Sequence, residues 1–209
     1  MKNKISLIYK FLIIVISGIG LYLNALMAPG KVMIFYFTII SNVMVFIFYL
    51  ISFLLYLMKK LKKNRIYYII KGMVTMCITL TLGVYQIILS DKGMYDGHML
   101  ACNFVHLYTP LLVIFDYIVF GEKGNLEKQF PFIWSLSLIV YTIICQLYTL
   151  FGGTFMDGKS YPYFYMDVEK FGIIGVLFNC LIIYVIFLLY GYLICFLDNQ
   201  VSKIESKQK

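Results

Sequence analysis

The chain is a succession of long apolar runs separated by short polar connections. Six runs, at 5–27, 32–58, 66–90, 99–120, 131–151 and 172–196, carry too few charges for soluble helices of their length. A hydrocarbon core about 30 Å thick takes about 20 helical residues at 1.5 Å each, and each run meets that length. Barrel strands do not fit, because they need only about 9–11 residues and alternate polar with apolar positions. The pattern therefore predicts an all-α polytopic membrane protein, a single bundle of six transmembrane helices forming one domain over residues 1–209.

Composition agrees. The chain is 62% hydrophobic and 13% charged, where soluble domains run at about 45–50% and about 25%. That excludes a disordered chain, a disulfide-stapled secreted domain and an ordinary cytosolic enzyme. The five cysteines (Cys77, Cys102, Cys145, Cys180 and Cys195) fall singly inside spans. With no C-x-x-C or Cys/His metal spacing they read as small packing residues, and no metal or cofactor is expected. No glycine-rich phosphate loop and no internal repeat is visible. The first run begins positively charged, but Ala25-Leu26-Met27-Ala28 is not an A-x-A cleavage site, so the helix is expected to be retained.

Charge adds an orientation. With both termini on one side, that side holds 14 Lys and Arg residues, and the other holds only Lys31, Lys92, Lys159 and Lys170. The positive-inside rule then predicts a cell-membrane protein with cytoplasmic N and C termini. Lys59, Lys60, Lys62, Lys63 and Arg65 read as an anchor for anionic lipid at the inner leaflet. The net charge of +8 is explained by topology. No soluble basic domain exists for nucleic acid.

The polar residues inside the runs are unevenly spread. Thr38, Ser41 and Asn42, Gln86, Asn103 and His106, Gln146, and Asn179 with Asn24 lie in outer halves, at depths of roughly 5–15 Å. Facing lipid they would lose water and find no partner, so they are expected to face inward as a polar pocket. Thr38, Ser41 and Asn42 share one helix face, as do Asn103 and His106. Pro110 has no N–H for the carbonyl four residues back, that of His106, and predicts a kink with a free acceptor there. A Thr hydroxyl becomes a nucleophile when a neighbouring base takes its proton, and neutral His suits that task near pH 7. Asn42, Asn103 or backbone groups would orient the ring or receive a developing oxyanion, and Ser41 is a competing hydroxyl. The expected geometry is two antiparallel helices bringing Thr38 and His106 face to face. Against this stand plainer readings: Ser and Thr often bond their own i−4 carbonyl, and Asn and Gln glue helices together. His98, beside Asp96 in an outer loop, reads as solvated. Asp116 and Lys71, at similar depth near the inner ends of adjacent spans, read as a structural ion pair.

Three motifs carry a family resemblance. Tyr36-Phe37-Thr38-Ile39-Ile40-Ser41-Asn42 resembles the F-T-x-x-S-N signature of the bacterial Pr6Pr membrane protein family. His106-Leu107-Tyr108-Thr109-Pro110-Leu111-Leu112 with Phe115-Asp116-Tyr117 resembles its H-x-x-x-P-L-L…D-W span. Tyr161-Pro162-Tyr163-Phe164-Tyr165-Met166-Asp167-Val168 resembles its Y-P-Y-P-F-x-D-V loop. The departures are Tyr117 for Trp and Phe164 for the second Pro. That family is in turn similar to the androgen-inducible intramembrane threonine hydrolases, which cleave fatty-acid esters of hydroxy fatty acids. The resemblance implies Thr38 as nucleophile and His106 as its base, and places the relatives' Tyr-Pro-Phe loop on Tyr161–Phe164. The rings of Tyr161, Tyr163 and Tyr165 suit an interfacial aromatic belt or the cover of a site opening outward. In the hydrolases an Asp replaces Ser41-Asn42 and the Pro sits one residue farther from the His. The expected function is an intramembrane Thr/His hydrolase acting on lipid or fatty-acid esters. The alternatives are a small-molecule transporter or a non-enzymatic membrane protein whose polar residues are interhelical glue.

Overall fold

Each apolar run folds as a helix, because in lipid a backbone must satisfy its own N–H and C=O groups. The computed structural model describes residues 2–27, 31–89 and 99–207. His98 and Asp96 lie outside them. Among the described residues there is no strand, and six helices are long and apolar enough to cross a membrane: Lys4–Leu26, Phe37–Leu57, Arg65–Ile87, Met99–Phe120, Phe130–Leu150 and Val168–Lys207. The chain is a multi-pass membrane protein.

The helical segments are α1 (Lys2–Met27), α2 (Phe37–Leu57), α3 (Arg65–Val84), α4 (Met99–Asn103), α5 (Thr109–Phe115), α6 (Phe130–Leu150) and α7 (Val168–Lys207). A π-helical turn, Phe104–Tyr108, joins α4 to α5, and a second, Asp116–Phe120, ends that span. Asn64 starts α3 by accepting from the Tyr67 N–H at 3.0 Å, which satisfies one of the donors a helix start leaves open. In α7, Gly172 sits at φ 65° and ψ 169°, a break that only a residue without Cβ adopts freely.

α3 lies at the centre, packed against α2, α5 and α6 and touching α7, while α1 packs on α2 and the fourth span. Close approach of α3 and α6 depends on Gly72: a Cβ there would overlap the Trp134 ring. Trp134 is fully buried and donates its indole N–H to the Ile69 carbonyl at 2.9 Å.

Two boundaries differ from the sequence pattern. The second helix starts at Phe37, after a 3₁₀ turn at Lys31–Phe35 and an extended Tyr36. Tyr36 is held there by the far loop, its hydroxyl accepting from the Met156 N–H at 3.2 Å and its ring meeting Phe155 and Tyr163 edge-on. The last helix runs on to Lys207 because its end docks on the 121–126 loop. Buried Asp198 accepts from the Tyr117 hydroxyl at 2.8 Å and the Gly124 N–H at 2.7 Å.

The second and fourth spans run parallel, contrary to the antiparallel expectation. Contacts rise together along both: Thr38 with His106, Tyr49 with Asp116. With one helical span between them, alternating crossings leave both running the same way. Near the end that carries the termini, fully buried Asp116 meets Lys71 at 3.0 Å, as the charges predicted, and also Lys10 at 3.3 Å and the Tyr49 hydroxyl at 2.9 Å.

Candidate functional site

Thr38 is the second residue of α2, one turn shallower than the apolar run suggested. Most hydroxyls deeper in the helices fold back on the preceding turn, as in Ser17 to the Ile13 carbonyl at 2.7 Å, Thr75 to Lys71 at 2.9 Å and Thr142 to Leu138 at 2.9 Å, with Thr109, just after the π turn, a buried exception. Thr38 has no full helical turn before it to supply such an acceptor. Its hydroxyl instead lies 3.2 Å from His106 Nε2.

His106 reaches this position through the π turn. The Thr109 N–H bonds the Phe104 carbonyl, five residues back. In that register Pro110 fails to serve Val105, and the Asn42 amide donates to the Val105 carbonyl at 3.0 Å. The carbonyl rescued by a side chain is therefore that of Val105, not His106 as an α-helical count implies. Asn42 also donates to the Thr38 carbonyl at 2.8 Å, so one amide ties both residues' helices together. Ser41, the competing hydroxyl, bonds the Thr38 carbonyl at 3.0 Å and Thr81 at 2.8 Å.

The ring's other nitrogen fixes its tautomer. Nδ1 lies 3.0 Å from the Cys102 carbonyl, which can only accept, so Nδ1 carries the proton and Nε2 presents a lone pair to the Thr38 hydroxyl. The Cys102 thiol is 3.2 Å from the same nitrogen and donates to the Tyr85 hydroxyl at 3.3 Å. The Tyr85 ring stacks on the imidazole, centroids 4.2 Å apart.

Both residues line a cavity of about 50 Å³, walled by Phe37, Leu80, Val84, Leu138, Tyr141 and Ile183 and bearing no charged side chain among the described residues. Tyr163, Tyr165 and Met166 from the connection between α6 and α7 line it as well, so that loop forms part of its wall at the end away from the termini. Tyr163 and Tyr165 stack, rings 5.5 Å apart. The Tyr163 phenol lies against the Thr38 hydroxyl and the backbone N–H groups of Phe37 and Thr38. Burial pushes it up to about 12, and the backbone N–H groups of Phe37 and Thr38 pull the other way. It is a neutral phenol at physiological pH, facing the first amides of α2 and retaining one O–H of its own.

The structure brings together Thr38, His106, Ser41, Asn42 and Tyr163. It does not gather the other residues that depth had grouped with them. Gln86 and Gln146 are exposed on the outside of the bundle. Asn103 is half-buried, off the cavity wall, and Asn24 donates to the Gly20 and Ala101 carbonyls at 2.9 Å each. Asn179 donates to the Tyr165 carbonyl at 3.0 Å and so holds the loop. Tyr161 is outside the cavity, bonded to Asp167. Tyr85, Cys102 and Thr81 were missed. Cys102 was legible as the residue one turn before His106 on the same face, and Thr81 as a polar outer-half position of its span. Tyr85 carried no signal apart from the other 18 tyrosines. No family model matches the chain, and neither the curated proteins nor the solved structures contain a significant match.

Proposed function

We propose that the protein is an intramembrane ester hydrolase in which Thr38 is the nucleophile and His106 the base, with a lipid or fatty-acid ester as substrate. The observation that carries this reading is the 3.2 Å contact between the Thr38 hydroxyl and an unprotonated imidazole nitrogen inside a cavity. The chemistry follows in two halves. Thr38 Oγ1 attacks the ester carbonyl while its proton passes to His106 Nε2. The carbonyl oxygen becomes an oxyanion, and the Tyr163 phenol, which lines the same cavity beside Thr38, is the donor assigned to it in this reading. His106 then returns the proton to the departing alkoxide, leaving an acyl ester on Thr38. Water, deprotonated by His106, hydrolyses that ester and restores both side chains. The uncharged, aromatic wall suits an ester carbonyl entering from lipid better than a polar or ionised substrate. The motif resemblance to the Pr6Pr family and the threonine hydrolases supports the same pair of residues.

Lys and Arg asymmetry supports a cell-membrane protein with both termini cytoplasmic and this cavity in the outer leaflet. A purely structural reading is favoured for Ser41 and Asn42, whose donors are all spent on other helical groups.

The test is turnover of a panel of lipid esters together with labelling by a fluorophosphonate probe. Wild-type protein and Thr38→Ser are expected to react. Thr38→Ala and His106→Ala should each lose at least about 100-fold in rate, comparable to removal of a nucleophile or base elsewhere, with the melting temperature held within a few degrees. A folded wild-type protein that neither labels nor turns over any ester contradicts the proposal.

A further inference from the structure

A second cavity lies at the opposite end of the bundle and plays no part in the chemistry above. It is lined by Lys10, Lys63 and Lys71, by Tyr67, Tyr68 and Tyr117, and by Glu122, with Gly72, Gly121, Phe120 and Leu126 narrowing it. Lys63 immediately precedes the cap of α3, and Gly121 and Glu122 immediately follow the fourth span. The opening is therefore at the level where helices leave the hydrocarbon, which is the level of lipid phosphates.

Its charge does not balance. Lys63 and the Tyr68 hydroxyl both bond Glu122. Asp116, wholly buried behind the cleft, is shared by Lys71 and Lys10, whose side chains are 10% and 20% exposed. Three ammonium groups thus face two carboxylates, and behind Tyr117 the buried Asp198 carboxylate and the Lys123 ammonium add one charge of each sign, so the excess of one positive charge stands. Lys10 fills part of its remaining capacity on the Ser6 hydroxyl, which carries no charge. Arg65 is no part of this balance, since Glu127 pairs with it at 2.8 Å. An ammonium held at low exposure without its own counter-charge is unfavourable, and in this position the available counter-charge is an anion from outside the chain.

We infer that this cleft binds one phosphate-type oxyanion, its oxygens accepting from Lys10, Lys63 and Lys71. The cavity encloses about 30 Å³, which admits the oxygens of a phosphate rather than a whole headgroup. Such an anion comes either from an anionic phospholipid of the adjacent leaflet or from free phosphate. The inference is independent of the hydrolase reading. It also differs from diffuse attraction to the exposed Lys59 and Lys60, which do not line the cleft.

The experiment counts lipids bound to the purified full-length protein by native mass spectrometry, with dioleoylphosphatidylglycerol against dioleoylphosphatidylcholine. One phosphatidylglycerol is expected to bind about tenfold or more tightly than phosphatidylcholine, as a charge-assisted contact implies. Lys63→Ala and Lys10→Gln should each remove about tenfold of that preference, and Glu122→Gln, which deletes a negative wall, should strengthen it. The double variant Lys59→Ala/Lys60→Ala should leave it unchanged. Lys63 and Glu122 are exposed, so their variants keep the test decisive if Lys10→Gln fails to fold. Inorganic phosphate added in neutral detergent, read by thermal shift, separates the two sources. A Tm increase that Lys63→Ala abolishes assigns free phosphate, and lipid preference without that increase assigns the headgroup. Equal binding of both lipids with no phosphate shift overturns the inference. So does a preference lost in Lys59→Ala/Lys60→Ala but kept in Lys63→Ala, or weakened by Glu122→Gln.

Discussion

At the scale of single residues, what distinguishes Thr38 is the absence of a local acceptor. Ser17, Thr75 and Thr142 show what a membrane-helix hydroxyl does when a helical turn precedes it. Thr38 stands where no such turn exists, and the imidazole takes its place as acceptor. Tyr163 is the residue whose role is most exposed to test. If its phenol donates to the oxyanion, Tyr163→Phe should lower kcat by about 100-fold with KM little changed, in line with loss of one oxyanion donor. Steady-state kinetics on the best ester would show this, and an unchanged kcat would reduce Tyr163 to a piece of the roof. Thr38 and His106 were legible in the sequence because a hydroxyl and an imidazole contrast with an apolar run. Tyr163 was legible only as one ring of an aromatic loop, since a belt of tyrosines at a membrane interface has the same composition whether or not one of them faces a cavity.

At the scale of elements, the site depends on a π turn and on where α2 begins. The extra residue per turn, ended by Pro110, leaves the Val105 carbonyl for Asn42, and that amide fixes the second span against the fourth. Asn42→Leu removes both amide bonds and leaves the Val105 carbonyl buried without a donor. A loss of about 1–3 kcal/mol is expected, the usual penalty of one such group, measured by denaturant unfolding in detergent, and probe labelling should slow because the imidazole is no longer held. Stability equal to wild type would mean the turn holds itself. Hydropathy located all six helices but not these details. It cannot register Tyr36 turning extended, because Tyr36 is as apolar as its neighbours and is set by contacts 120 residues away. The proline marked a break, yet the carbonyl it frees depends on a register that sequence does not show.

At the scale of the whole molecule, the two ends of the bundle do different things. One end holds an uncharged cavity with Thr38 and His106. The other concentrates charge around Asp116, ten residues beyond His106 and therefore about 15 Å along the helix. Asp116→Asn keeps the size of the side chain but leaves Lys10 and Lys71 without their carboxylate. A loss of about 3–5 kcal/mol is expected in the same unfolding measurement, as for other buried pairs broken on one side. Intact stability would show that the lysines reach solvent. The ion pair with Lys71 was legible from matching depths on adjacent spans. Lys10 was not, because a lysine ten residues from the start of a chain also reads as part of a solvated positive end. Parallel packing of the second and fourth spans follows from counting crossings and was the one large-scale feature misread, although every residue needed to count them was visible.

The proposed mechanism requires Thr38 Oγ1 to be the atom acylated. Peptide mapping by mass spectrometry after fluorophosphonate treatment of the folded protein tests it most directly. A single adduct on Thr38 is expected, absent when His106 is replaced by Ala. An adduct on Ser41, Cys102 or a surface tyrosine with Thr38 unmodified would contradict it.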